Sequence, residues 1–152
     1  MNVRPLAREE IPALAGSLAA LPLMVRYRRD AAALARSLEA AHGRGEGLLV
    51  ADEGAGPRGL AWFLPSGTLA LGGYLRLIAV LPGGEGRGVG AALLRAFEAE
   101  TARASPNAFL LVSDFNAGAI RFYEREGYVR VGTLPGLVLP DVAEILYWKK
   151  LR

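Results

Sequence analysis

The chain has 152 residues, of which 52% are hydrophobic and 22% charged, a balance that excludes a disordered protein and fits one globular domain over residues 1–152. It has no cysteine, which excludes disulfides, thiolate metal sites and a cysteine nucleophile, and its one histidine argues against a catalytic triad or a multi-histidine metal site. The net charge of +3 comes from scattered arginines, without the clustering and interleaved aromatics of a nucleic-acid surface.

Apolar periodicity and turn residues predict alternating helices and strands along the chain. No apolar run reaches the roughly 18 residues of a membrane span, and the first residues lack the apolar core of a signal peptide, so we expect a cytoplasmic protein without a membrane partner. The predicted elements, in order, are a strand at 2–6, helices at 9–20 and 28–41 around a break at 21–23, strands at 46–51, 59–64 (with 68–71 continuing the meander) and 74–80, a helix ending near 104, a strand at 108–112, a helix at 117–126, and strands at 128–131 and 145–148. This order predicts a mixed α/β domain.

The most distinctive stretch is the glycine-rich turn that follows the strand at 74–80. Pro82 ends the apolar run, and a helical pattern begins after the glycines at positions 83, 84, 86, 88 and 90. Glycine lets backbone N–H groups crowd around a ligand without interference from a Cβ. The start of a helix adds unpaired N–H donors and the positive end of the helix dipole. The turn therefore predicts an anion site, most often one for phosphate.

Two nucleotide-binding motifs can be compared with this turn, a P-loop and a dinucleotide fingerprint. A P-loop requires Lys-Ser or Lys-Thr after its glycines, and the sequence contains neither pair, so a P-loop is excluded. The dinucleotide fingerprint fits Gly86, Gly88 and Ala91, with Asp114 in the place of a ribose-binding acid. However, Pro82 intervenes between the strand and the first glycine, and too little chain follows Asp114 to complete a doubly wound sheet. A dinucleotide-binding oxidoreductase is therefore a remote alternative.

A third interpretation comes from a resemblance. The pattern V-x-P, followed by R-G-x-G-A and a helix rich in Ala and Leu, resembles motif A of the GNAT superfamily of acyl-CoA-dependent N-acetyltransferases. The resemblance implies acetyl-CoA as cosubstrate and no metal, with the pyrophosphate on the backbone of the turn and the pantetheine arm along the strand. The cofactor-binding residues that it implies here are Ile78, Ala79, Val80, Gly86, Arg87, Gly88, Val89, Gly90 and Ala91. Glu85 departs from the family's pattern, because relatives usually carry Arg or Gln at that position.

A second segment, SDFNAGAIRFYEREGYVRVG, resembles the family's other signature, N-x-x-A-x-x-F/Y-Y-x-x-x-G-F/Y. On the residues alone, Asn116 is placed to cap a helix, Gly127 to end it, and Tyr123 to pack against the core. The resemblance implies more, namely that Asn116 contacts the cofactor arm and that Tyr123 is the catalytic acid that protonates the coenzyme A thiolate. A phenol with a pKa of about 10 stays protonated at neutral pH, as such an acid must.

The base that would deprotonate the acceptor amine is missing from its expected place. Relatives often carry Glu five residues before the asparagine, where this chain has Leu111. Asp114 is the nearest acid, but its position at a strand end before a helix favours a cap or turn role. A water chain, a carboxylate from elsewhere such as Glu46 or Glu144, and a loss of activity are the open explanations, and we favour the water chain.

The resemblance also implies a fold, a reaction and a partner. We expect a GNAT-like single domain of mixed α/β (α+β) class, with a central, mostly antiparallel mixed sheet and helices on both faces. We expect direct transfer of an acetyl group from acetyl-CoA to a primary amine of a small molecule or a peptide N-terminus; the alternative is a non-catalytic acyl-CoA-binding module. The segments that grip the acceptor in relatives, here 21–27 and 133–142, are mostly apolar, which favours a small or partly apolar amine over a polycationic aminoglycoside. Dimers are common among relatives, which leaves a homodimer open.

Overall fold

The computed structural model describes the whole chain, residues 1–152, as seven strands, five α-helices and a short 3-10 helix at Arg8–Glu10. The strands are β1 (Asn2–Pro5), β2 (Gly47–Asp52), β3 (Pro57–Thr68), β4 (Gly72–Val80), β5 (Asn107–Ser113), β6 (Val129–Pro135) and β7 (Ala143–Lys150). The helices are α1 (Ile11–Ala19), α2 (Pro22–Arg26), α3 (Ala31–Gly43), α4 (Val89–Ala104) and α5 (Ala117–Arg125). None of these helices combines the length and the apolar character that crossing a bilayer requires.

The seven strands form one sheet in the order β1-β2-β3-β4-β5-β7-β6. The pairs β1–β2, β2–β3, β5–β7 and β6–β7 are antiparallel, while β4 and β5 are parallel and are joined along the chain through α4. A parallel pair requires such a crossover connection. The predicted mixed α/β class with a mostly antiparallel sheet is therefore confirmed.

The chain divides into two compact units by its internal contacts. The first unit is Met1–Phe63 with Leu77–Phe97, and the second is Leu64–Arg76 with Glu98–Arg152. In the first unit, a core cluster joins α1 and α3 to β2 and β3, and its fully buried side chains include Ile11, Leu18, Leu38, Val50 and Leu60. In the second unit, alternate residues of β5 and β7 are buried on one face, namely Ala108, Leu110, Val112, Ile145 and Tyr147.

Several element boundaries differ from those that the sequence predicts. The helix predicted at 28–41 begins at Ala31, because the Asp30 side chain accepts the Ala33 N–H at 2.8 Å and caps it. The predicted break at 21–23 contains the start of α2, since proline is well tolerated in the first turn of a helix. Residues 69–71 do not continue the meander but form a turn, in which Leu69 and Ala70 have positive φ values of 52° and 58°.

A close approach at Gly59 sets the position of α4 in the first unit. A Cβ added at Gly59 in β3 would lie 2.7 Å from the Ala79 carbonyl oxygen and 2.7 Å from Cγ1 of Val89, the first residue of α4. Only glycine lets the strand, its neighbour and the helix start pack this closely. The glycine-rich turn just before Val89 is therefore held against β3 and β4.

We predict that Gly59→Ala destabilises the protein by about 1–3 kcal/mol, because the backbone oxygen of Ala79 cannot move aside as a flexible side chain could. Gly16→Ala, in α1 with no atom within 4 Å of the new Cβ, is the matched control. That variant should stabilise the helix by up to about 1 kcal/mol. Urea unfolding of both variants measures the difference, and an unchanged midpoint for Gly59→Ala would contradict the close approach.

Candidate functional site

The glycine-rich turn in the first unit presents a row of backbone N–H donors at the start of α4. The helix begins at Val89, and the Gly88 carbonyl accepts the Ala92 N–H at 2.9 Å, so the N–H groups from Gly88 to Ala91 lie before the first intrahelical bond. Gly86 and Gly88 have φ values of +70° and +77°, and a Cβ at either would meet no atom within 4 Å. The space in front of the turn is thus open, and the backbone conformation requires glycine.

Glu85, the departure from the family pattern, turns its side chain back onto the turn itself. Its carboxylate accepts the Gly83 N–H at 2.7 Å, while the Gly84 N–H is taken by the Leu81 carbonyl at 2.9 Å. The N–H groups of Gly83 and Gly84 are therefore bonded within the turn, the first of them to the Glu85 carboxylate. The N–H donors from Gly86 onward are the ones available to a ligand.

Two arginines lie at this turn, and sequence reasoning identified only Arg87. Arg87 donates to Glu53 at 2.6 Å, with half of its own side chain exposed. Arg58 at the start of β3 has its Nη1 3.4 Å from the place a Cβ on Gly83 would occupy, and its Nε is buried without a hydrogen-bond partner. No sequence signal marks Arg58, because its proximity to Gly83 arises from the pairing of β3 with β4.

The strand before the turn continues past its pairing with β5. The parallel ladder joins Gly73–Leu75 to Ala108–Leu110, and β4 runs on to Val80. Ile78, Ala79 and Val80, which the resemblance assigns to the pantetheine arm, lie beyond the end of that ladder. A strand beyond its ladder can pair its backbone with an extended ligand.

In the second unit, Asn116 and Gly127 define the two ends of α5. The Asn116 side chain accepts the Ala119 N–H at 3.1 Å, so the predicted N-cap is confirmed. Gly127 has φ +93° and donates to the Glu124 carbonyl at 3.1 Å, while the Tyr128 N–H donates to the Tyr123 carbonyl at 3.0 Å. This pair of bonds is the Schellman motif, and it confirms Gly127 as the helix stop.

Tyr123 on α5 is a buried phenol with a hydroxyl that the chain itself does not use. Its ring packs edge-on against Phe122 and Tyr128, at centroid distances of 5.1 and 5.8 Å. The hydroxyls of Tyr128 and Tyr147 donate to Glu98 and Glu124 at 3.0 and 2.9 Å, whereas Tyr123 makes no such bond within the chain. Burial, with Tyr74 nearby, raises the pKa of the Tyr123 phenol, so the group is protonated at neutral pH.

Tyr74 on β4 lies near Tyr123, and the sequence did not single it out. The two phenols interact electrostatically, and Tyr74 also interacts with Glu144 on β7. Burial raises the pKa of Tyr74, Arg76 lowers it, and the Glu144 carboxylate raises it further. In the second unit, Tyr74 therefore lies within electrostatic reach of the Tyr123 phenol and of the Glu144 carboxylate.

The carboxylates considered as bases differ in their surroundings. Glu46 accepts from Trp62 Nε1 at 2.8 Å and from Arg44 at 2.5 Å. Asp114 is exposed in the turn after β5 and accepts the Ala143 N–H of β7 at 3.2 Å, so its carboxylate binds a neighbouring strand and does not cap α5. Glu144 is only 8% exposed and accepts the Ser113 hydroxyl at 3.3 Å. No three His, Asp or Glu side chains come together as a metal cluster.

Comparison of the sequence with known protein families identifies an acetyltransferase domain. Residues 44–130, more than half of the chain, match the acetyltransferase (GNAT) domain. No curated protein sequence matches the chain.

The fold is shared with solved acetyltransferase structures. An aminoglycoside 6'-N-acetyltransferase in complex with coenzyme A has a TM-score of 0.79 at 19% identity, with 100% of this chain and 98% of that chain covered. The protein yncA from Salmonella typhimurium, solved with its cofactor acetyl-CoA, has a TM-score of 0.75 at 19% identity, covering 99% and 94%. Ribosomal-protein-alanine N-acetyltransferase from Brucella melitensis has a TM-score of 0.72 at 19% identity, covering 99% of both chains. Identities this low show a common fold and not a common substrate.

We predict that Asn116→Ala lowers the free energy of unfolding by about 1 kcal/mol, because the Ala119 N–H loses its acceptor. Asn116→Ser should keep most of that stability, since a hydroxyl can cap the same donor. Asp30→Ala, which uncaps α3 in the first unit, is the matched control and should cost a similar amount. Thermal and urea unfolding measure the effects, and an Asn116→Ala variant as stable as the parent would contradict the cap.

Proposed function

Because the chain belongs to the GNAT family of acetyltransferases, we propose that it is a single-domain enzyme that transfers the acetyl group of acetyl-CoA to a primary amine. The amine belongs to a small molecule or a peptide N-terminus. The observation that carries this proposal is the Tyr123 phenol, which is buried, protonated and without a hydroxyl partner in the chain. A chain without cysteine has no thiol to carry the acetyl group, which supports direct transfer within a ternary complex.

The turn in the first unit is proposed to hold the pyrophosphate of acetyl-CoA. The support is the set of N–H donors from Gly86 to Ala91, the open space before Gly86 and Gly88, and the positive end of the α4 dipole. Arg58 and Arg87 would add positive charge, and Glu85 would oppose it. Backbone donors would therefore contribute more to this site than side-chain charge does.

The reaction requires a proton for the departing thiolate of coenzyme A, and Tyr123 is proposed to donate it. Acetyl-CoA supplies the thioester carbonyl that the amine attacks. The raised pKa of Tyr123 keeps its hydroxyl protonated at neutral pH, so the phenol can donate a hydrogen bond to the departing sulfur and pass on its proton as the C–S bond breaks. Asn116 already uses its side-chain oxygen for Ala119, which leaves its amide N–H groups as donors toward the cofactor arm.

The acceptor is proposed to be a small or partly apolar amine. In the first unit, α2 carries only Arg26 as a charge and exposes Val25. In the second unit, the end of β6 and the loop after it expose Leu134, Leu137 and Val138. These apolar surfaces suit an acceptor with an apolar flank better than a polycation.

We predict that Tyr123→Phe lowers kcat by about 100- to 10,000-fold, the usual contribution of a positioned acid, with little change in the Kd of coenzyme A. Tyr147→Phe is the matched control, because it removes the hydroxyl of another buried tyrosine, one bonded to Glu124. That variant should lose stability and not kcat. Steady-state assays with an amine panel and calorimetry separate the two effects; an unchanged kcat for Tyr123→Phe would remove it from the mechanism.

We predict that Glu85→Gln tightens coenzyme A binding by about two- to five-fold at low ionic strength, because it removes a like charge from the pyrophosphate site. Glutamine keeps an acceptor for the Gly83 N–H, so the turn should hold its shape. Glu100→Gln, at an exposed position of α4, is the control for net charge, and the Kd of this variant should not change. Calorimetry at two salt concentrations checks this, and weaker binding by Glu85→Gln would show that the carboxylate supports the site.

A further inference from the structure

The buried carboxylate of Glu144 lies on the sheet face that carries Leu111. In the β5–β7 ladder, Leu111 is opposite Leu146 and Ser113 is opposite Glu144. Partners across a strand pair point to the same face, and so do residues two apart on one strand. Glu144 and Leu111 are therefore on the same face of the sheet. Their positions differ by two residues, which is roughly 7 Å along the strand direction.

The same face carries Tyr74. Tyr74 is opposite Phe109 in the β4–β5 ladder, and Phe109 is on the face of Leu111 and Ser113. Tyr74 interacts electrostatically with Tyr123, the proposed acid, as well as with Glu144. The carboxylate thus lies within electrostatic reach of the phenol that neighbours the proposed acid.

Among the second unit's carboxylates, Glu144 is the one that the strand ladders place on the face of Leu111 and Tyr74. Glu98 and Glu124 lie on helices, where they accept from Tyr128 and Lys149 and from Tyr147. Asp114 is exposed and holds a backbone N–H. Glu144 shares its face with half-buried apolar side chains, among them Leu111 and Leu146, which would flank an amine rather than compete with it.

We propose that the Glu144 carboxylate takes the proton from the acceptor ammonium, in place of the acid that Leu111 lacks; this inference rests on the proposed acetyl transfer. It replaces our expectation of a water chain without a protein base. Its neighbours are the Ser113 hydroxyl on β5, Leu134 on β6 and Tyr74 on β4, and Tyr74 in turn interacts with Arg76. The hydroxyl of Ser113 donates to the carboxylate and orients it.

The proton balance of the step is complete with these groups. Glu144 accepts one proton from the ammonium, and the freed nitrogen lone pair forms the C–N bond to the thioester carbonyl carbon. The C–S bond then breaks, and the thiolate takes a proton from Tyr123. The nitrogen loses its second proton to restore Tyr123, and Glu144 releases its proton to solvent. One ammonium and acetyl-CoA therefore give the amide, the free thiol of coenzyme A and one proton.

The test compares Glu144→Gln with the double variant Leu111→Glu/Glu144→Gln, using acetyl-CoA and the best amine of a panel. We expect Glu144→Gln to lower kcat/KM about 100-fold or more near neutral pH. Its kcat/KM should then rise about tenfold per pH unit up to the pKa of the amine, because the variant can use only the amine that is already neutral. The parent enzyme should show a flatter profile. Restoring a carboxylate at Leu111 should recover part of the activity.

The controls separate this inference from the function on which it rests. Coenzyme A affinity and melting temperature should match the parent in both variants, and Glu144→Asp, which keeps the charge, should keep the flatter profile if Glu144→Gln fails to fold. If the parent is active and Glu144→Gln is equally active, the inference is overturned and the acetyl transfer is not. The same holds if the kcat/KM of Glu144→Asp rises with pH as steeply as the fraction of neutral amine does. A parent that turns over no amine overturns the acetyl transfer and the inference with it.

Discussion

The antiparallel register between β5 and β7 is the constraint on which the proposed chemistry of the second unit depends. Seven residue pairs run from Asn107–Lys150 to Ser113–Glu144. A slip of one residue would turn Glu144 to the face where Leu110 and Tyr147 are buried. A carboxylate without a partner there would cost several kcal/mol. The packing of that apolar face therefore holds the carboxylate beside Ser113, on the opposite face.

The local parts of the site could be predicted from the sequence, because short-range rules determine them. The glycine-rich turn, the Asn116 cap and the Gly127 stop each depend on residues within one turn of a helix. Arg58 and Tyr74 could not be found in this way, since strand pairing brings each to its neighbours across many residues of sequence. Glu144 could be named as a candidate but not chosen, because its face depends on the register with β5. Residues 69–71 were wrongly assigned to the meander for a related reason, as a strand-like composition does not exclude positive φ.

The turn differs from an anion site that is built on basic side chains. Glu85 accepts the Gly83 N–H and Glu53 forms an ion pair with Arg87, so the side-chain charges near the turn largely offset one another. The donors from Gly86 to Ala91 depend only on backbone conformation and on the start of α4. The close approach at Gly59 fixes that helix start. The proposed anion binding is thereby coupled to the packing of the first unit, and a change of side-chain charge at the turn should alter its affinity only about two- to five-fold.

The central claim, that this turn holds the pyrophosphate of acetyl-CoA, is tested most directly by the amide resonances of the isotope-labelled protein. Acetyl-CoA should shift the backbone amides of Gly86, Gly88, Gly90 and Ala91 strongly. Acetyl-pantetheine, which lacks the pyrophosphate, should leave the same four amides nearly unchanged. Saturation with acetyl-CoA that leaves these four amides in place, or equal shifts with both ligands, would contradict the account.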